Sequence, residues 1–188
     1  MSSNLTKPHA MMQTQLIVNL FGQLSASQLA DLLGLIQQQQ CRALDSHLMS
    51  FEQRVVFALR IAGNWDRVTR VESVLREFAR SQALEIQVQH EKTVAEREPV
   101  LPYILDAIGL ESADMLAAIT RFCAKQEVIL RDISTRAYRP ARSSERLIQL
   151  RAQVELPARC HLGQFKSDFF DLCDTLNLDA AIEPERTF

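Results

Sequence analysis

The segment FGQLSASQL, residues 21–29, runs from an apolar stretch through a glycine into a serine-started helix, and IGLESADML, residues 108–116, does the same 87 residues later. That shift sets Gly22 on Gly109, Ser25 on Ser112, Leu29 on Leu116, Leu32 on Ile119 and Asp45 on Asp132. An internal repeat in which element order and landmark residues both recur means tandem copies of one small unit. The fold of the chain then follows from the fold of one copy.

Within QLIVNLFG (15–22), Leu16, Val18 and Leu20 alternate with the period of a strand. Ser25 or Ser27 can cap a helix that carries Leu29, Leu32, Leu33 and Ile36 on one stripe. Cys41 to Ser50 reads as a second, polar strand, and Val55, Phe57, Leu59 and Ile61 alternate along a third that forms a hairpin with it. Gly63-Asn64 ends the hairpin. A helix with Val68, Val71, Leu75 and Phe78 follows, and then Leu84, Ile86 and Val88 alternate with Glu85, Gln87 and Gln89 in a strand with one wet face. The order β-α-β-β-α-β is the ferredoxin-like arrangement, with two helices over one face of a four-stranded antiparallel sheet.

The second copy has a longer hairpin, Thr135 to Arg146, after which Ile148, Leu150, Ala152 and Val154 alternate cleanly. Phe165, Phe169, Leu172, Cys173 and Leu176 mark its last helix, and Asp179 to Ile182 can close its sheet. The expected chain is α+β, with an N-terminal tail over 1–13, a domain over 14–92, a linker over 93–99 and a second domain over 100–184.

Composition narrows the function. The 188 residues are 47% hydrophobic and 23% charged with a net charge of −2, the balance of a folded water-soluble protein without the basic excess of a nucleic-acid binder. No apolar run is long enough to span a membrane, and residues 1–13 lack the pattern of a signal peptide. Cys41, Cys123, Cys160 and Cys173 are widely spaced without a CxxC pair, so a cytoplasmic protein with reduced thiols and no metal site is expected. Charge is uneven, with nine basic and eight acidic residues through position 92, against twelve and fifteen beyond it.

No catalytic centre is legible. The sequence has no Walker A loop, GxGxxG, GxSxG or HExxH, its five glycines leave little for a phosphate loop, and no cofactor is called for. His9, His47, His90 and His161 share no ligand spacing, and Cys160-His161 reads as a loop before the last helix. Trp65, at the start of a helix, reads as a packing anchor between helix and sheet.

Binding chemistry is better represented. A helix N-terminus offers unpaired N–H groups and partial positive charge, so the turns at Gly22, Gln23, Leu24 and Ser25 and at Gly109, Leu110, Glu111 and Ser112 can hold a small carboxylate. Asp45 and Asp132 could take the ammonium of the same amino acid. The plainer alternative is that each serine only caps its helix and each aspartate is solvated. Arg131, Arg136, Arg139, Arg142 and Arg146 crowd the second hairpin, as a docking arm for an acidic protein surface, as a phosphate contact or simply as a solvated tip.

CRALDS (41–46), GNWDRVTRVESVL (63–75) and, more loosely, FDLCDTLNL (170–178) resemble the ACT domains, and over about residues 14–184 the chain resembles the glycine cleavage system transcriptional repressor family. Members of that family are tandem ACT domains that act through a DNA-binding activator protein. The resemblance implies a non-enzymatic regulator that senses a small amino acid such as glycine near a domain interface, touching neither DNA nor membrane. Ligand-binding ACT domains often carry an Asp-Arg-Pro-Gly-like turn after the first strand. Here Gln23-Leu24-Ser25-Ala26 and Leu110-Glu111-Ser112-Ala113 stand in its place. The other reading is a ligand-free ACT-like module for protein–protein contacts. Side-by-side association of sheets, within the chain or in a homo-oligomer, stays open.

Overall fold

The computed structural model describes residues 14–91, 99–111, 114–141 and 144–185. The tail 1–13, linker residues 93–98, Ser112 and Arg142 lie outside the described residues. The chain divides into two compact units, 1–96 and 97–188.

In the first unit the order is β1 (Thr14–Gly22), α1 (Ala26–Gln38), β2 (Arg42–Phe51), β3 (Arg54–Gly63), α2 (Trp65–Ser81) and β4 (Glu85–Glu91). The antiparallel sheet runs β2-β3-β1-β4. Because side chains alternate across a strand, Leu16, Val18 and Leu20 of β1 and Phe57, Leu59 and Ile61 of β3 share one face. There they meet Leu32 and Ile36 of α1 and Val68, Val71, Leu75 and Ala79 of α2. Every residue of the outer strand β2 is exposed, so its sequence lacks the apolar alternation of β1 and β3.

The second unit repeats the arrangement with β5 (Val100–Leu110), α3 (Met115–Lys125), β6 (Ile129–Tyr138), β7 (Leu147–Pro157), α4 (Leu162–Thr175) and β8 (Asp179–Pro184). Its sheet runs β6-β7-β5-β8, and Leu105, Leu150, Ala152, Val154, Ile119, Phe165, Phe169 and Cys173 form its core. The α+β, twice-ferredoxin-like architecture expected from the repeat is the one observed.

Two details show how closely the copies correspond. The register of β2 on β3 slips between Ala43 and Asp45, and that of β6 on β7 between Leu130 and Asp132, so Leu44 and Arg131 are bulged at matching places. The helices also end alike. Gln40, Ala83, Glu127 and Asn177 adopt φ between 53° and 55°, and the next residue donates its N–H back to the penultimate turn. Those bonds are Cys41 to Ile36 O (3.2 Å), Leu84 to Ala79 O (2.8 Å), Val128 to Cys123 O (3.0 Å) and Leu178 to Cys173 O (2.9 Å). This is the Schellman ending, closed by an apolar contact between the two bonded residues.

Trp65 departs from expectation. It is the first residue of α2 and 66% exposed, because Val68 and Val71 take the sheet-facing stripe and the first turn points outward. It does not anchor the helix to the sheet.

Candidate functional site

The turn after β1 is built by a capping box. Ser25 is the N-cap of α1, its Oγ accepts the Gln28 N–H at 3.3 Å, and its own N–H donates to Gln28 Oε1 at 2.8 Å. Gln28 Nε2 reaches on to Gln82 Oε1 at 2.6 Å, tying the start of α1 to the end of α2. Gln23, Leu24, Ser25, Gln28, Gln53 and Gln82 line an open concavity of about 550 Å³ here. None of them is charged. The first turn of α1 holds no acidic residue, so the positive end of that helix is not offset by a local carboxylate. Neutral amides beside such a helix end can hydrogen-bond a small carboxylate and an amine alike.

Asp45 is not part of this concavity. Gly22 stands opposite Val55, which faces Ser50, whereas Asp45 faces Arg60, which stands opposite Ile17. Five residues along the sheet separate them, roughly 17 Å at the rise of a strand. Asp45 instead accepts a hydrogen bond from Arg60 across the exposed side of the sheet. The second unit has the same offset, with Gly109 opposite Ile148 and Asp132 opposite Gln153, which pairs with Ile104. The expected clamp, helix end for carboxylate and aspartate for amine, is therefore not assembled within either unit.

The equivalent turn in the second unit is different. Glu111 donates its N–H to Arg146 O at 2.9 Å, and its carboxylate pairs with Arg146 Nε at 3.1 Å. Helix α3 starts at Met115 with Asp114 at the N-cap, whose side chain makes no capping hydrogen bond. Gly109 and Leu110 end β5 beside an acid, which is poor company for a ligand carboxylate. Arg146, the last residue before β7, is occupied by Glu111, while Arg136 within β6 and Arg139 just after it are exposed.

Elsewhere, Glu72 of the GNWDRVTRVESVL segment links α2 to β4. Its Oε1 accepts from Arg76 Nε and Nη2 at 2.9 and 2.8 Å, and its Oε2 lies 2.7 Å from His90 Nε2. Burial pushes this carboxyl upward, but the bonds to Arg76 and His90 outweigh it and hold the group below its usual range. Cys160 is half-buried and His161 is the N-cap of α4, in keeping with a loop before that helix.

Of the residues that line the first-unit concavity, Gln28 is signalled in the sequence by the Ser-x-x-Gln spacing of a capping box. Gln53 and Gln82 carry no such signal, since they arrive from the β2–β3 turn and the end of α2.

Residues 14–89 match the ACT domain family. The chain is 27% identical over 146 residues to the glycine cleavage system transcriptional repressor of Escherichia coli (strain K12), covering 76% of this chain and 75% of that one. The protein of that name from Shigella flexneri matches to the same extent. Among solved structures, one provisionally named as such a repressor superposes with a TM-score of 0.70 at 16% identity, covering 93% of this chain and 99% of that one. An unknown protein from Galdieria sulphuraria gives 0.72 at 13% identity over 93% and 99%. At those identities the likeness establishes the shared fold.

Proposed function

We propose, from the match of residues 14–89 to the ACT domain family, the second unit of the same fold and the similarity over three-quarters of the chain to glycine cleavage system transcriptional repressors, that the protein is a non-enzymatic, cytoplasmic regulator that senses a small amino acid such as glycine. Its domains are taken as 14–92 and 100–184. The ligand carboxylate meets the turn Gly22-Gln23-Leu24-Ser25 at the start of α1, and occupancy changes affinity for a protein partner, a DNA-binding transcriptional activator, through linkage between the sites. The hairpin bearing Arg136, Arg139, Arg142 and Arg146 is the docking arm for that partner.

The observation that carries this reading is the uncharged, amide-lined concavity at the capped end of α1, where no acid opposes the helix dipole. Calorimetric titration of the full chain with glycine and a panel of amino acids tests it. Saturable heat that Gln28→Ala reduces supports the reading, and absence of heat and thermal shift at millimolar ligand rejects it.

A ligand-free interaction module is the second reading, favoured by one feature. The outer strand β2 exposes Leu44, Leu48, Met49 and Phe51, with Phe51 at 63%. On that reading Arg136→Glu with Arg139→Glu weakens partner capture, and added glycine changes nothing.

A further inference from the structure

Over the second sheet, α3 and α4 leave an open groove of about 600 Å³ between them. Phe122 of α3, with Leu172 and Leu176 at the end of α4, gives it a half-buried apolar floor. Phe122 is fixed there by tilted ring contacts to Phe165 and Phe169, with centroids 5.3 and 5.7 Å away. The two walls carry opposite charge, Arg121 and Lys125 on α3 against Asp168 and Asp171 on α4. Gln126 Nε2 donates to Asp168 Oδ2 at 3.0 Å, which fixes the level of one helix against the other. The helices of a βαββαβ unit run in opposite directions, so Arg121, back along α3, and Asp171, onward along α4, lie on the same side of that bond. They do not reach each other. Arg121, Lys125 and Asp171 are exposed, and their side chains have no ion-pair or hydrogen-bond partner among the described residues.

The first unit shows that the fold does not require these charges. The shift that sets Gly22 on Gly109 sets Gly34 on Arg121 and Gln38 on Lys125. Aligning Leu84 with Leu178, which meet those two glycines alike, sets Val74 on Asp168 and Glu77 on Asp171. Glu77 is satisfied on its own helix, by Arg80 at 2.6 Å. The second unit thus presents a basic and an acidic wall, facing outward with unmet charge, where the first has neither.

We propose that this groove is a contact between two copies of the chain, related by a two-fold axis that runs along the groove. Rotation about such an axis sets α3 of one copy over α4 of the other, so each basic wall faces an acidic one and every charge contact forms twice. An axis across the groove would set α3 over α3 and α4 over α4, with like charges opposed. The charges therefore select the partner as well as its orientation. An acidic surface would satisfy α3 and be repelled by α4, and a basic surface the reverse, whereas a second copy satisfies both. Closure also covers the floor of Phe122, Leu172 and Leu176, the apolar centre that an interface needs inside a charged rim. The contact lies on the helix layer and does not involve the outer strands β2 and β6. It does not depend on ligand binding at the β1–α1 turn.

Sedimentation velocity on the full chain, over a range of protein concentrations at low and high salt, tests it. The parent is expected to associate reversibly, and more weakly at high salt, because salt screens exposed charges. Arg121→Asp and Asp171→Arg, both at exposed positions, should each weaken association roughly tenfold or more, because either change opposes like charges at two symmetric places. An equimolar mixture of the two variants should associate as the parent does, since each introduced charge then meets its opposite across the interface. A chain carrying both changes should do the same. Restoration in the mixture shows at once that both variants are folded. A parent that stays monomeric, an association that neither change weakens (as pairing of strand edges would give), or a loss that the mixture does not restore overturns the inference.

Discussion

A Cβ placed on Gly22 would lie 2.6 Å from Leu84 Cδ2, closer than two carbon atoms can approach. Gly109 stands in the same relation to Leu178, at 2.5 Å. In both units the chain enters the last strand beside a glycine near the end of the first, and the leucine just before that strand fills the space that a side chain would need. Gly22→Ala and Gly109→Ala should each destabilise by about 1–3 kcal/mol through overpacking. Gly22→Ala should be the worse, since Gly22 also sits at φ 153°, a setting that L side chains rarely adopt. Urea unfolding checks the order, and Gly109→Ala should cost less in a Leu178→Ala background than in the parent, because the clashing side chain is gone.

The left-handed helix endings store removable strain. Ala83 holds φ 53° without a polar side chain to support it, whereas Asn177 holds φ 53° with one that tolerates the conformation. Ala83→Gly should therefore stabilise by about 0.5–1 kcal/mol, net of the greater freedom of glycine in the unfolded chain. Asn177→Gly should gain less. Equal gains in thermal or urea midpoints would contradict this account.

Alkali should weaken the second unit. Burial pushes the Cys123 thiol up to about 11, and burial with the nearby Asp174 does the same for Cys173. Thiols of an unfolded chain ionise near pH 8.5. Below that value both states keep the protons and the thiols contribute no pH dependence. Above it the unfolded chain loses protons that the folded chain retains, so stability falls as pH rises, by about 1.4 kcal/mol per pH unit for each thiol. Urea midpoints from pH 8 to 10.5 should decline less steeply in Cys123→Ala with Cys173→Ala than in the parent.

Ser25→Ala should cost about 1 kcal/mol by removing the capping box at the start of α1. Ser25→Asp should recover most of that stability, because aspartate caps as well as serine and favours the helix dipole. It should nonetheless lose ligand at this turn, since its carboxylate competes with that of an amino acid. A titration in which Ser25→Asp binds glycine like the parent would show that the helix end does not hold the ligand.

Much of this structure is legible in the residues. Alternation of Leu16, Val18 and Leu20 marks β1, and the shift that carries Gly22 to Gly109 reveals the second copy, because core positions must recur wherever the same sheet and helices do. What escapes is whatever depends on pairing register. The distance between Asp45 and Ser25 is set by the partners of β3, which no local pattern displays. Gln53 and Gln82 reach the concavity only through tertiary arrangement, and the outward turn of Trp65 follows from which helical stripe Val68 and Val71 claim.

The bulges at Leu44 and Arg131 limit how these sheets can grow. An extra residue breaks the even spacing of outward N–H and C=O groups that a straight neighbouring strand needs. Along each outer strand, an incoming strand can hold register only between the bulge and the hairpin, over Asp45–Phe51 in one unit and Asp132–Tyr138 in the other. The chain thus carries a built-in ruler for edge-to-edge pairing, whichever strand comes to lie beside it.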